Sequence, residues 1–336
     1  MKARQSLALL SAAACSIFAS CEKKEKPYPL PPQGDATGAI VVMGPDYSTQ
    51  IFYNFETGIV DSSANDSWDI SFSNKAGTAE LWANSGSLVF VKATGMTDLA
   101  AVTDTLSSAS KPWVYDDPSG LDGSSGLGNL ITNSHTNEVI LVNVQRIVSA
   151  RRIANVYKMK ITAITDETIN LQIDTLNGSS PRTVNLARNT DYNYTYYSFA
   201  NGVVMPEPQK ADWDIVFTRY QHIYRDYFGP GLDFLYPLNG ALLNPHQTTA
   251  ADDSLNNYDF SAFTLEKAVG FTFFPNRDVI GFDWKVADIS DGSYVVNPNK
   301  IFLVKTQAGA LWKLHFTGFY SNGQKGSPQF EFKRLQ

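Results

Sequence analysis

Trp213-Asp214-Ile215-Val216-Phe217 is the stretch that decides the fold. Its large residues alternate, which puts Trp213, Ile215 and Phe217 on one face of a strand. The same pattern stands 145 residues earlier as Trp68-Asp69-Ile70-Ser71-Phe72. An aromatic strand precedes each copy, Tyr53-Asn54-Phe55 and Tyr197-Ser198-Phe199. A second pair follows in the same order. Ile140-Leu141-Val142 leads to Tyr157-Lys158-Met159-Lys160-Ile161, and Phe302-Leu303-Val304 leads to Trp312-Lys313-Leu314-His315-Phe316. Two ordered pairs indicate a duplication, with copies at 38–178 and 183–336. Asn177-Gly178, Asn201-Gly202, Asp291-Gly292 and Asn322-Gly323 supply turns. A helix is expected only at Met96 to Leu106, with Asp98 in its first turn. The reading is all-β and mostly antiparallel, two tandem domains built as sandwiches or open barrels.

Composition agrees. With 43% apolar and 18% charged residues the chain has ample core and is not disordered. A net charge of −6 without a basic region speaks against a nucleic-acid partner.

Both cysteines, Cys15 and Cys21, lie in a segment that reads as a secretory signal. Lys2 and Arg4 precede an apolar, small-residue run from Ser6 to Ser20, too short to span a bilayer as a mature helix. Phe18-Ala19-Ser20-Cys21 resembles a bacterial lipobox, which implies cleavage after residue 20 and lipidation of Cys21. The alternative is an ordinary signal with a chance cysteine. Residues 21–37 combine the charged run Glu22 to Lys26 with Pro27, Pro29, Pro31 and Pro32, and read as a solvated tether. Cleavage removes Cys15 and lipidation blocks Cys21, which would leave no free thiol, so stability rests on core burial.

The repeated motifs resemble the HmuY-like family of Bacteroidota lipoproteins. The second copy carries the closer match, from Tyr194 to Phe199, through Trp213 to Tyr220 and Gly240-Ala241-Leu242-Leu243-Asn244-Pro245, to Trp312–Phe316 and Gln329-Phe330-Glu331-Phe332. The resemblance implies an all-β, lipid-anchored protein on the outer-membrane surface that captures haem and passes it to a TonB-dependent receptor. It also implies a haem-ligating His after the Trp-Asp strand. Thr218 stands there, with Ser73 in the first copy, and a hydroxyl is a poor iron ligand. The second ligand of the family falls near Gly270 to Gly281, where this chain has neither His nor Met.

The residues themselves offer substitutes. His222 has the strand parity of Thr218, and Tyr220 and Tyr224 share it. With His246, which follows Asn244-Pro245, and the thioether of Met205, they form a set of haem-contact candidates. The plainer reading makes the two histidines hydrogen-bonded loop residues and Met205 a gap-filler. His315 is expected to face solvent, and His135 to sit in a turn. Asp116, Asp117 and Asp122 lie in a Gly/Ser-rich loop and supply oxygens suited to Ca²⁺, or a solvated turn. Thr105, Thr175 and Ser254 follow Asp and precede Leu, resembling Bacteroidota O-glycosylation acceptors. No His-Glu-x-x-His, Gly-x-Ser-x-Gly or phosphate-loop motif occurs, and Gly123 to Gly128 reads as a connector. Two non-catalytic readings follow: haem or porphyrin capture, or binding of another ligand such as a glycan or receptor protein by exposed aromatics. A carboxylate-pair hydrolase is the third and weakest reading.

Overall fold

The computed structural model describes residues 35–106, 108–148, 151–253, 258–288 and 290–336. The N-terminal half supplies β1 (Thr37–Ile40), β2 (Thr49–Asn54), β3 (Gly58–Ala64), β4 (Ile70–Ser73), β5 (Leu81–Ala83), β6 (Phe90–Ala93), β7 (Val139–Val148), β8 (Arg151–Ile164), β9 (Thr168–Thr175) and β10 (Arg182–Ala187). The C-terminal half supplies β11 (Tyr194–Ser198), β12 (Gly202–Val204), β13 (Ile215–Tyr224), β14 (Phe234–Leu243), β15 (Thr249–Asp252), β16 (Lys285–Ala287), β17 (Tyr294–Val296), β18 (Ile301–Lys305), β19 (Leu311–Ser321) and β20 (Gln324–Arg334). The one α-helix among the described residues is a single turn, Leu265–Ala268.

These strands form two β-sandwiches, and every strand pair is antiparallel. In one, sheet β14-β13-β2-β3 packs on β1-β20-β19-β18-β15. Ile51, Tyr53, Ile215, Phe217, Trp284, Phe316 and Phe330 fill the space between them. In the other, β12-β11-β4-β5 packs on β10-β9-β8-β7-β6 around Phe72, Leu81, Ile140, Met159 and Tyr197. Alternation in β9 is regular, and the Asn322-Gly323 hairpin has both residues at positive φ, as its turn type requires.

The two inner sheets are shared between the repeats. β2 of the first copy pairs with β13 of the second, and β11 of the second pairs with β4 of the first. A matched pair of aspartates fastens this exchange. The Asp214 N–H donates to Tyr53 O at 2.9 Å, and its Oδ2 accepts the Phe55 N–H at 2.9 Å. The Asp69 N–H donates to Tyr197 O at 2.9 Å, and its Oδ2 accepts the Phe199 N–H at 2.7 Å. Asn84 and Asn244 brace the two corners alike, each donating to a tryptophan carbonyl, Trp68 O and Trp213 O.

Three sequence expectations change. Trp213 does not share a face with Ile215 and Phe217. The turn that brings Asp214 to Phe55 reverses its side, and it packs edge-on against Phe52, with ring centres 5.0 Å apart. Trp68 meets Tyr196 in the same way at 5.0 Å. Met96 to Leu106 is a loop and not a helix. Asp98 and Asp104 accept the N–H groups of Ala100 and Leu106, so local Asx bonds replace helical ones. Leu99 and Val102 still reach the core, and Val102 O accepts from buried Lys158. His315 is not a solvent-facing residue, because the 258–271 loop covers that face of β19. Its ring stacks on Phe260 at 3.9 Å, while Lys313 donates to Phe260 O and Phe263 O.

Candidate functional site

The far end of the β13–β14 hairpin carries a concentration of aromatic rings. β13 and β14 pair Tyr224 with Phe234 and His222 with Tyr236, so all four side chains lie on one face. Tyr224 and Phe234 stack with ring centres 6.0 Å apart and planes 16° from parallel, and Tyr227 stands 5.3 Å from Phe234. The hairpin tip is held in place. Arg225 pairs with Asp233 and with Asp117, each at 2.7 Å, and the Tyr115 hydroxyl donates to Asp233.

A second wall comes from the segment after Ile280. Gly240 faces the Gly281 carbonyl so closely that a Cβ there would lie 2.3 Å from it. That contact allows two backbone bonds between Ala241 and Gly281, and Gly281 turns at φ +54°. Phe282 is thereby laid beside the hairpin and Trp284 is sent into the core, stacked on Phe316 at 3.9 Å. β16 and β17 close the far side. The resulting cleft measures about 450 Å³ along the edge of β14, lined by Tyr224, Tyr227, Phe234, Tyr236, Phe282, Lys285 and Tyr294. That volume lies within the ordinary range of small-ligand sites, about 300–1,000 Å³.

His222 sits beside the cleft, 4.9 Å from Phe282 and 4.7 Å from Tyr224. Desolvation lowers its pKa against the opposing pull of Asp278 and Asp283, which favours the neutral imidazole, the form able to ligate a metal. Lys285 lines the cleft as well. Burial brings its ammonium down to about 7, its Nζ donates to Asn239 O at 2.7 Å, and it lies 4.2 Å over the Trp284 ring.

Other sequence candidates lie elsewhere. Thr218 is buried, and its hydroxyl donates to Asn65 Oδ1 at 2.7 Å, so the second-copy counterpart of the family ligand is occupied by the first copy's hairpin. Tyr220 is buried between the inner sheets, its hydroxyl unpartnered. His246 belongs to a separate groove of about 820 Å³ with Trp82, Tyr194, Lys75 and Asp122. Met205 is 56% exposed and lines none of these cavities. The three loop aspartates do not converge. Asp116 accepts from Ala83 N and Gly126 N, Asp117 pairs with Arg225, and Asp122 pairs with Lys75. The Asp116 bond fixes the Gly123–Gly128 connector. No cluster of three metal-ligating side chains occurs among the described residues. His135 is in a turn and bonds Glu138 at 2.6 Å. Thr175 is exposed and Thr105 half-buried. Ser254, Cys21, the 1–20 signal and most of the 21–37 tether lie outside the described residues.

Sequence reasoning missed Phe234, Tyr236, Phe282, Lys285 and Tyr294. Only the alternation of Phe234-Leu235-Tyr236 beside a known aromatic strand marked any of them in advance.

The fold is a pair of β-sandwiches made from two repeats. The family model described as HmuY protein matches the chain twice, over residues 46–192 and 190–332, and the chain belongs to the HmuY family. Its solved structural neighbours include the apo HmuY analog (TFO) of Tannerella forsythia, at 10% identity and TM-score 0.31, covering 90% of this chain and 96% of that one. Apo PinO from Porphyromonas gingivitis has 11% identity and TM-score 0.29, covering 90% and 98%. A putative HmuY-like heme binding protein from Bacteroides vulgatus ATCC 8482 has 11% identity and TM-score 0.23, covering 89% and 94%. No curated protein matches the chain.

Proposed function

We propose that this chain is a non-catalytic capture protein that holds a flat, largely apolar macrocycle of the haem or porphyrin class in the cleft along β14. The observation that carries this reading is the wall of six aromatic rings, Tyr224, Tyr227, Phe234, Tyr236, Phe282 and Tyr294, with a neutral imidazole beside it. Flat rings are held by aromatic faces and edges, each contact adding about 0.5–1.5 kcal/mol beyond area burial. His222 is the residue that would reach iron in such a ligand, and bound haem would supply an open coordination position to it. The Thr218 position takes no part, its hydroxyl being committed to Asn65.

Titration with haemin and with metal-free protoporphyrin IX tests this. A Soret shift with haemin and saturable fluorescence with protoporphyrin are expected. His222→Ala should abolish the Soret shift and spare protoporphyrin binding. Failure of both ligands to bind the wild type at micromolar concentration rejects the reading.

A second reading has its own support. The 820 Å³ groove mixes Trp82, Tyr192 and Tyr194 with Lys75, Asn193 and His246, a composition suited to stacking and hydrogen-bonding a sugar. Glycan-array binding that Trp82→Ala removes would favour it.

The lipobox and tether support an anchor at Cys21, display at the outer-membrane surface and transfer to a TonB-dependent receptor. No helix among the described residues is long and apolar enough to cross a membrane. Metabolic labelling with a fatty acid, lost in Cys21→Ala, tests the anchor. Pull-down from outer membranes tests the receptor.

A further inference from the structure

Arg219 is a cation of the inner layers whose side chain has no hydrogen-bonded or ion-paired partner among the described residues. It stands on β13 opposite Asn239 of β14 and is half-buried. Its guanidinium makes no hydrogen bond or ion pair among the described residues, and its Nε is buried without a partner. The other arginines whose side chains are described are all engaged. Arg182, Arg188 and Arg277 donate to backbone carbonyls, and Arg225 and Arg334 hold carboxylates. Only Nε is shut off from solvent without a partner, so the rest of the guanidinium stays solvated and is open to a partner from outside the chain.

The space around it fits one. Arg219 lines a cavity of about 400 Å³ with Tyr47, Ser48, Tyr236, Asn239 and Tyr294. Asn239 is 2% exposed, and neither its Oδ1 nor the Tyr47 hydroxyl makes a hydrogen bond of normal geometry, although the hydroxyl lies close to the Asn239 and Tyr294 side chains. Asp46 and Asp66 are on the same walls; hydrogen bonding from Ser48 and, from a distance, the Arg219 charge lower the Asp46 pKa, but neither carboxylate closes an ion pair with the guanidinium, and Asp46 accepts the Ser48 N–H. Tyr236, Leu238, Asn239 and Tyr294 line this cavity and the aromatic cleft alike, so the two are immediate neighbours.

We propose that the Arg219 pocket is a carboxylate-binding subsite that receives the acid side chains of the ligand whose flat body lies in the aromatic cleft. This rests on the macrocycle reading. A guanidinium can hold a carboxylate through two parallel N–H bonds, with Tyr47 as a further donor on the same wall. A separate small organic acid carries the same chemistry, and the test tells the two apart.

Protoporphyrin IX and its dimethyl ester are titrated into the full chain and into Arg219→Gln. The wild type should bind the free acid about 10- to 100-fold more tightly than the ester, the range expected for hydrogen bonds to a charged group. Arg219→Gln should bind both with the affinity of the ester. Calorimetry with sodium succinate is the second arm. Saturable succinate binding lost in Arg219→Gln, together with equal acid and ester affinities in the wild type, assigns the pocket to a separate acid. Equal affinities and no succinate binding overturn the subsite while leaving the macrocycle reading intact. No binding of either porphyrin overturns the reading beneath it. The wild-type comparison stands even if the variant does not fold.

Discussion

Replacing Asp214 measures the exchange of hairpins between the repeats. Asp214 Oδ2 accepts the Phe55 N–H at 2.9 Å across the two copies, and both residues are 3% exposed. Asp214→Ala removes the acceptor and strands that N–H away from water, at a cost of about 1–3 kcal/mol. It also removes a buried carboxyl whose pKa burial pushes up to about 6, which recovers desolvation energy at neutral pH. Asp214→Asn separates the two effects, since it removes the charge and keeps an oxygen acceptor. The difference between the Ala and Asn variants therefore isolates the hydrogen bond and should be about 1–3 kcal/mol in urea unfolding at pH 7. The matched clasp at Asp69 should give a similar difference, because it accepts the Phe199 N–H at 2.7 Å. Ala and Asn variants equal within about 0.5 kcal/mol at both sites would refute the exchanged pairing, since this is the scatter of unremarkable substitutions.

Residues 38–189 and 190–336 expressed apart should show no cooperative unfolding, because each half leaves β2 or β11 without its partner strand; mixed, they should regain the far-ultraviolet signal of the whole chain. Burial raises Asp116 and Glu207 to about 7, so the folded state holds more protons than the unfolded state between roughly pH 4 and 7, and their contribution to stability falls as pH rises through that window. Thermal melts of Asp116→Asn with Glu207→Gln should show that component removed, a change on the order of a few kcal/mol between pH 4 and 8. Lys158→Met strands Val102 O and Gly178 O, and should cost about 2–4 kcal/mol by denaturant titration. Phe282→Ala should weaken protoporphyrin binding about tenfold without lowering the melting temperature by more than a few degrees, since the ring lies at the cleft wall.

The strands themselves were legible because alternation and Asn-Gly turns are local signals, and Thr168–Thr175 shows them fully. The exchange was not. Tyr53-Asn54-Phe55 and Tyr197-Ser198-Phe199 are near-duplicates, as are the two Trp-Asp strands, so either edge can pair with either partner and nothing local distinguishes the choices. Trp213 misled for a related reason. Its parity was right for a continuous strand, but the Asp214 clasp breaks the strand there. His315 was misplaced because the loop that covers it lies over 40 residues earlier in the chain. At the candidate site, the shared strand parity of Tyr220, His222 and Tyr224 led to the β13–β14 hairpin. Phe282, Lys285 and Tyr294 join it only through the close passage of Gly240 and Gly281, which no spacing reveals. Arg219 gave no sequence signal, since its distinction is a missing partner.

A crystal structure of the chain soaked with iron protoporphyrin IX tests the central claim most directly. The account predicts the macrocycle along the edge of β14, between Phe234 and Tyr294, with the His222 imidazole toward the metal. A macrocycle seated in the Trp82–His246 groove, or lodged beside Thr218 with the β2–β3 hairpin displaced, would contradict it.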